Sequence, residues 1–82
     1  MSRDGDLVER FIEPDARRPV DARIAEYGIP VWALIGYLRV VKGDQQRVAD
    51  DYDIPLDAVR AAVAYYKGHQ ELIDAKLALN AA

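Results

Sequence analysis

Asp50, Asp51 and Asp53 crowd three carboxylates into one short stretch, the donor type that gathers a divalent cation. Adjacent helical positions point to different sides, however. The sequence also supplies no fourth ligand and no phosphate-cradling glycine loop beside them. His69 is the sole histidine. An imidazole works as general acid or base where a partner orients it, and no such partner is legible around this one. Its expected role is local: it caps the helix before it or meets a tyrosine hydroxyl. The chain has no cysteine, so disulfides and thiolate metal sites are excluded. No enzyme activity, metal, cofactor or small-molecule substrate is expected. Cations remain. Arg60 is placed to reach a base edge or phosphate, with Arg47 and Lys67 holding the nucleic-acid backbone. Asp57 and the three aspartates at 50, 51 and 53 would repel the same polyanion, so a solvated face is the competing reading.

These residues belong to one small domain of 82 residues. A domain this size buries only about 60% of its unfolded-chain surface, so association is a reasonable way to add buried area. The formal net charge of −3 runs against a dedicated nucleic-acid binder. An apolar fraction of 51% argues against general disorder. No apolar run approaches the ~20 residues that cross a bilayer, and Met1–Asp6 has no signal-peptide character. A soluble, cytoplasmic chain with no membrane partner is the expectation.

The elements that must position the side chains follow from local signals. Residues 1–6 are expected to be a disordered tail, with one helical domain over residues 7–82. Val8–Ile12 fits a brief strand or a helical turn, and Glu13–Pro19 a loop. Val20–Tyr27 fits either a helical turn or two closed by Gly28, or a short strand around Arg23–Ala25. Pro30 suits the first position of a helix whose apolar face is Val31, Leu34, Ile35, Leu38 and Val41, ended by Gly43. Gly36, inside this helix, suggests a close approach by another element. Asp44 caps a second helix with Val48, Ala49 and Tyr52 inward, and Asp53-Ile54-Pro55 breaks it. The next helix starts near Leu56, with Asp57 in its first turn. Its expected apolar face is Leu56, Val59, Ala62, Val63 and Tyr66, and it stops at Gly68. A last helix runs from about 69 to 79. The fold class is all-α, with a helix-turn-helix over about 44–68 and the option of a short N-terminal strand.

The stretches YGIPVWALIGYL, VADDYDIPLDAVRAAVAYY and HQELIDAKL resemble the domain-of-unknown-function family numbered 433. The resemblance covers roughly residues 27–77. It is carried by Pro30, Val31 and Trp32, then by Ala49, Asp51, Tyr52 and Ile54. It continues through Val59, Ala61, Ala62, Val63, Tyr65 and Tyr66 to His69, Ile73, Asp74 and Ala75. It implies a homeodomain-like helical fold. It also implies the role of antitoxin in a bacterial toxin–antitoxin pair, binding a PIN-like ribonuclease toxin, and operator DNA through another segment, usually as a dimer. Many members of that family carry a G-T-R triplet before the P-V position. Here Glu26–Val31 reads EYGIPV, so the Thr–Arg pair is missing and its role does not transfer.

Two sets of candidate residues result. Arg47, Arg60 and Lys67 are the DNA-binding set, with Tyr65 and Tyr66 able to stack on bases. The competing reading puts Tyr66 in the core and Tyr65 under the last helix, its hydroxyl on a polar partner. Trp32, Leu72, Ile73, Leu77 and Leu79 form the partner- or dimer-interface set, since so many apolar residues do not suit a short free helix. Trp32 serves equally to close the core. The ending ALNAA points to a structured face rather than a wrapping tail as the toxin contact. The alternatives to an antitoxin are a stand-alone helix-turn-helix transcription regulator and a protein-interaction module without nucleic acid.

Overall fold

Two prolines and two left-handed chain reversals set the helix boundaries. The structure, a computed structural model, describes residues 3–81. Helix α2 (Val31–Val40) begins directly after Pro30, whose extended backbone makes it the residue before the helix rather than the first within it. The helix ends where Lys42 and Gly43 both take positive φ, and the Gly43 amide turns back to the Leu38 carbonyl at 2.8 Å. That six-to-one bond satisfies a carbonyl that the helix end would leave open. Helix α3 (Gln45–Tyr52) starts on Asp44, whose carboxylate accepts from the Arg47 amide at 3.1 Å. It closes the same way: Asp53 is left-handed and the Ile54 amide donates to the Ala49 carbonyl at 3.0 Å. Ile54 is buried in the corner that this reversal makes. Pro55 then precedes α4 (Leu56–Gly68), so α3 and α4 form a helix-turn-helix layout. His69 interrupts the helix before α5 (Gln70–Ala81).

The N-terminal third realises the short-strand option and departs from expectation only at its first residues. Arg3–Asp6 are not a tail, because they lie in helix α1 (Arg3–Phe11); Met1 and Ser2 lie outside the described residues, as does Ala82. Leu7, Val8 and Phe11 pack against the core from one side of α1, which lies on α4. The polar opening residues form helix because that apolar side has somewhere to dock. Strand β1 (Ile12–Glu13) pairs antiparallel with β2 (Arg23–Ile24), with Ile12 opposite Ile24. Both isoleucines are buried. A 3-10 turn over Pro19–Asp21 leads into β2, which decides the ambiguous 20–27 stretch for strand rather than helix. The fold is thus mostly helical with one short strand pair.

Helix α4 is the central element, in contact with α1, α2, α3, β1 and α5. Its buried residues are Ala58, Val59, Ala61, Ala62 and Tyr65. The face expected from the large side chains was Leu56, Val59, Ala62, Val63 and Tyr66, and of these Leu56, Val63 and Tyr66 are only partly buried. The side that packs is rotated because three alanines let neighbouring backbones come close. Gly36 on α2 meets a side chain instead: a methyl group there would sit 2.9 Å from Leu77 Cδ2 on α5, which would have to turn aside.

Candidate functional site

The burial of α4 leaves one outward strip: Asp57, Arg60, Ala64 and Lys67, at successive turns. Lys67 has no ion pair among the described residues. Arg60 Nη1 lies 3.4 Å from Asp57 Oδ1, and Arg47 Nε lies 3.4 Å from Asp51 Oδ2 on α3. Two of the three cations expected to meet DNA are therefore engaged with the protein's own carboxylates. The structure does bring Arg60 and Lys67 together, on a shallow depression of about 230 Å³ that Gln45, Val63 and Ala64 complete. Arg47 does not line it. Such exposed pairs are worth only about 0.2–1 kcal/mol, so a stronger anion can displace them.

A second cluster was not legible in the sequence. The Arg39 guanidinium donates to the Tyr66 hydroxyl at 3.0 Å and also to Asp74 Oδ1. Tyr66 in turn donates to the same Asp74 oxygen at 2.7 Å. The hydroxyl, and after it the guanidinium, hold the Asp74 carboxyl below its ordinary value. The same contacts raise Arg39. Three helices meet in this group, with one residue from each of α2, α4 and α5. A related contact joins α2 to α3: Tyr37 donates to Asp51 Oδ2, the oxygen that Arg47 also approaches. The bond lowers Asp51 and raises Tyr37. Asp51 is thereby committed to structure, and no group of three or more metal-ligating side chains assembles among the described residues.

The Tyr65 hydroxyl finds a polar partner, as expected, but the depth of burial of the two adjacent tyrosines is reversed. Tyr65 is the buried one, and its hydroxyl donates to the Pro19 carbonyl at 2.8 Å, pinning the 3-10 turn. Burial raises its pKa. Tyr66 is partly buried and faces the Arg39–Asp74 cluster. His69 stacks on the Tyr65 ring with centroids 4.1 Å apart and planes 15° from parallel. Its Nδ1 lies 3.0 Å from the Tyr65 carbonyl, which only accepts, so this nitrogen carries the proton and caps α4. The capping role is the one that the sequence suggests. The contact with tyrosine is through the ring rather than the hydroxyl.

The proposed interface set divides. Ile73 is fully buried and Leu77 is partly buried against the core, so α5 spends these two on its own domain. Ile73 is withdrawn as an interface residue for that reason. Leu72 and Leu79 do face outward, at 47% and 77% exposure. Trp32 packs against the core, and the Lys76 ammonium stands 5.1 Å from its ring centroid. That cation–π contact ties α5 to the start of α2. Val40, exposed at 73% on α2, is an outward apolar residue that the sequence pattern did not mark. No helix among the described residues is long and apolar enough to cross a membrane.

No family model, curated protein or solved structure matches the chain. The resemblance to family 433 stays an expectation from the sequence, and the residues that suggested it have structural roles of their own. The spacing in Y-Y-x-x-H-x-x-x-I-D places His69 on Tyr65, Asp74 on Tyr66 and Ile73 in the core. Val59, Ala61 and Ala62 are buried with them. These motif positions build the α4–α5 joint rather than an open site.

Proposed function

We propose that the chain is a non-catalytic protein-binding module of the antitoxin type, acting in the cytoplasm as a homodimer against a PIN-like ribonuclease toxin. The toxin assignment is supported by the resemblance to family 433. The preference for a protein over DNA is supported by one observation: Arg47 and Arg60 are engaged by Asp51 and Asp57, while Leu72 and Leu79 stay exposed. A surface that pairs two of its three candidate cations with carboxylates and leaves large apolar groups outside favours a protein partner.

The test is co-expression with the product of the adjacent gene. A stable complex in which RNA cleavage is suppressed is expected. Separate elution with unchanged cleavage would overturn the reading. Light scattering on the chain alone checks the homodimer, and a monomer mass would remove that part.

A second reading is operator binding through the α4 strip, either by the antitoxin or by a stand-alone regulator. The joint position of Arg60 and Lys67 favours it. It predicts a gel shift on the chain's own upstream DNA that weakens steeply with salt. Arg60→Ala with Lys67→Ala should abolish that shift, and an unchanged shift would leave the strip without this role.

A further inference from the structure

Beside the α4 strip, a larger groove of about 420 Å³ runs between the end of α2 and α4. Ile35, Leu38, Val63 and Tyr66 give it an apolar lining. Arg39, Lys42 and Lys67 stand around it, with Gln70 closing the α5 side. Val63 and Lys67 line both this groove and the depression that contains Arg60, so the two are one continuous surface. From Arg60 to Lys67 it follows about two turns of α4, or ~10 Å at 1.5 Å per residue.

The charge around this surface opposes the charge of the chain. The protein carries a net −3, yet four cations gather here. Asp74 and Asp57 offset Arg39 and Arg60. Lys42 and Lys67 have no ion pair among the described residues and are exposed. A phosphate backbone would meet the lysines but gain nothing from an apolar floor. A helix with apolar side chains on one face and carboxylates along its edges satisfies both.

We propose that this groove is the docking surface for an acidic amphipathic helix of a partner protein. The apolar anchors, spaced i, i+4 and i+7, enter over Leu38, Val63 and Tyr66, and flanking carboxylates meet Lys42 and Lys67. The proposal rests on the protein-binding reading above and adds to it the surface and the partner's chemistry.

Fluorescence anisotropy with a labelled synthetic helix bearing Leu at i, i+4 and i+7 and Glu beside them tests it. The Glu–Leu helix should bind, and versions with Lys for Glu or Ser for Leu should bind far more weakly. Lys42→Glu with Lys67→Glu should weaken binding roughly tenfold, by two lost attractions and two new repulsions. Both lysines are exposed, so the variant should fold and melt only a little below the parent, the new carboxylates meeting the negative ends of α2 and α4. Glu9→Gln, exposed on α1 and outside the groove lining, should bind normally. Failure of the Glu–Leu helix to bind, or equal binding by its Lys version, overturns the proposal. So does binding of a mixed-sequence DNA duplex, lost in the double variant, without peptide binding. A complex with the adjacent gene product that survives the double variant would leave the protein-binding reading intact and remove the groove as its surface. Absence of that complex in the parent would strike the underlying reading itself.

Discussion

The Tyr66 hydroxyl donates to Asp74 Oδ1 at 2.7 Å, joining α4 to α5 across the break at His69. Arg39 reaches both partners from α2. The joint between the last two helices thus rests on an ionised carboxylate, and its strength should depend on pH. Asp74 lies below its ordinary 3.8 because the charged form is held in the folded protein. The unfolded chain therefore binds this proton more tightly. The stabilisation is complete above the unfolded value and is lost as pH falls through the lower folded one. Asp51 and Asp15 act with the same sign, Asp15 because the Arg18 and Arg17 amides donate to it. Melting temperatures taken from about pH 6 to pH 2 should fall, and Asp74→Asn should flatten that fall without removing it.

The two exposed leucines and the buried isoleucine of α5 should separate cleanly in stability. Ile73→Ala should cost about 2–5 kcal/mol in denaturant unfolding, and Ile73→Val about 0.5–1.5 kcal/mol. Leu79→Ser should stay within about 0.5 kcal/mol of the parent. A small effect at Ile73 would show that α5 does not hold its place on the domain.

Gly36 and Leu77 should behave as a coupled pair. Gly36→Val crowds Leu77 and should destabilise by about 1–3 kcal/mol. Adding Leu77→Ala should recover part of that loss, so a double-mutant cycle would show non-additivity. Strict additivity would mean that α5 does not press on α2 at this point.

Tyr65→Phe removes the bond to the Pro19 carbonyl and should cost about 1 kcal/mol. Because burial raises the Tyr65 hydroxyl, its contribution is complete below the unfolded value of 10.0 and is lost as pH rises through the folded one. Alkaline unfolding monitored by circular dichroism should lose part of its pH dependence in Tyr65→Phe.

How much of this was legible depends on how local the cause is. The boundaries of α2, α3 and α4 follow from Pro30, Asp44, Asp53, Pro55 and Gly68, each of which acts on the backbone within a turn of itself. Of helix α1 only a turn near Val8 was legible, as one of two options; Arg3–Asp6 are polar and take helical form beside Leu7, Val8 and Phe11 as those pack on the core. The strand pair is two residues long on each side and depends on the meeting of Ile12 and Ile24. Tyr65 is buried deeper than Tyr66 because it shares the side of α4 that carries Ala58, Ala61 and Ala62. In a helix enclosed by several neighbours, small residues mark the tight side. The Arg39–Tyr66–Asp74 cluster joins positions far apart in sequence, so no spacing could announce it. Of the candidate site residues, Arg60 and Lys67 were rightly expected to be neighbours on one face, and Ile73 was not free.

Lys42 holds its backbone at φ +58°, a conformation that costs a side-chain-bearing residue on the order of 1 kcal/mol and a glycine almost nothing. The same lysine supplies one of the two uncommitted charges beside the groove. Lys42→Gly should therefore raise the melting temperature slightly while weakening the anisotropy signal of the acidic helix. Folding and recognition make opposite demands on that single position, and a sequence optimised only for thermal endurance would discard the charge.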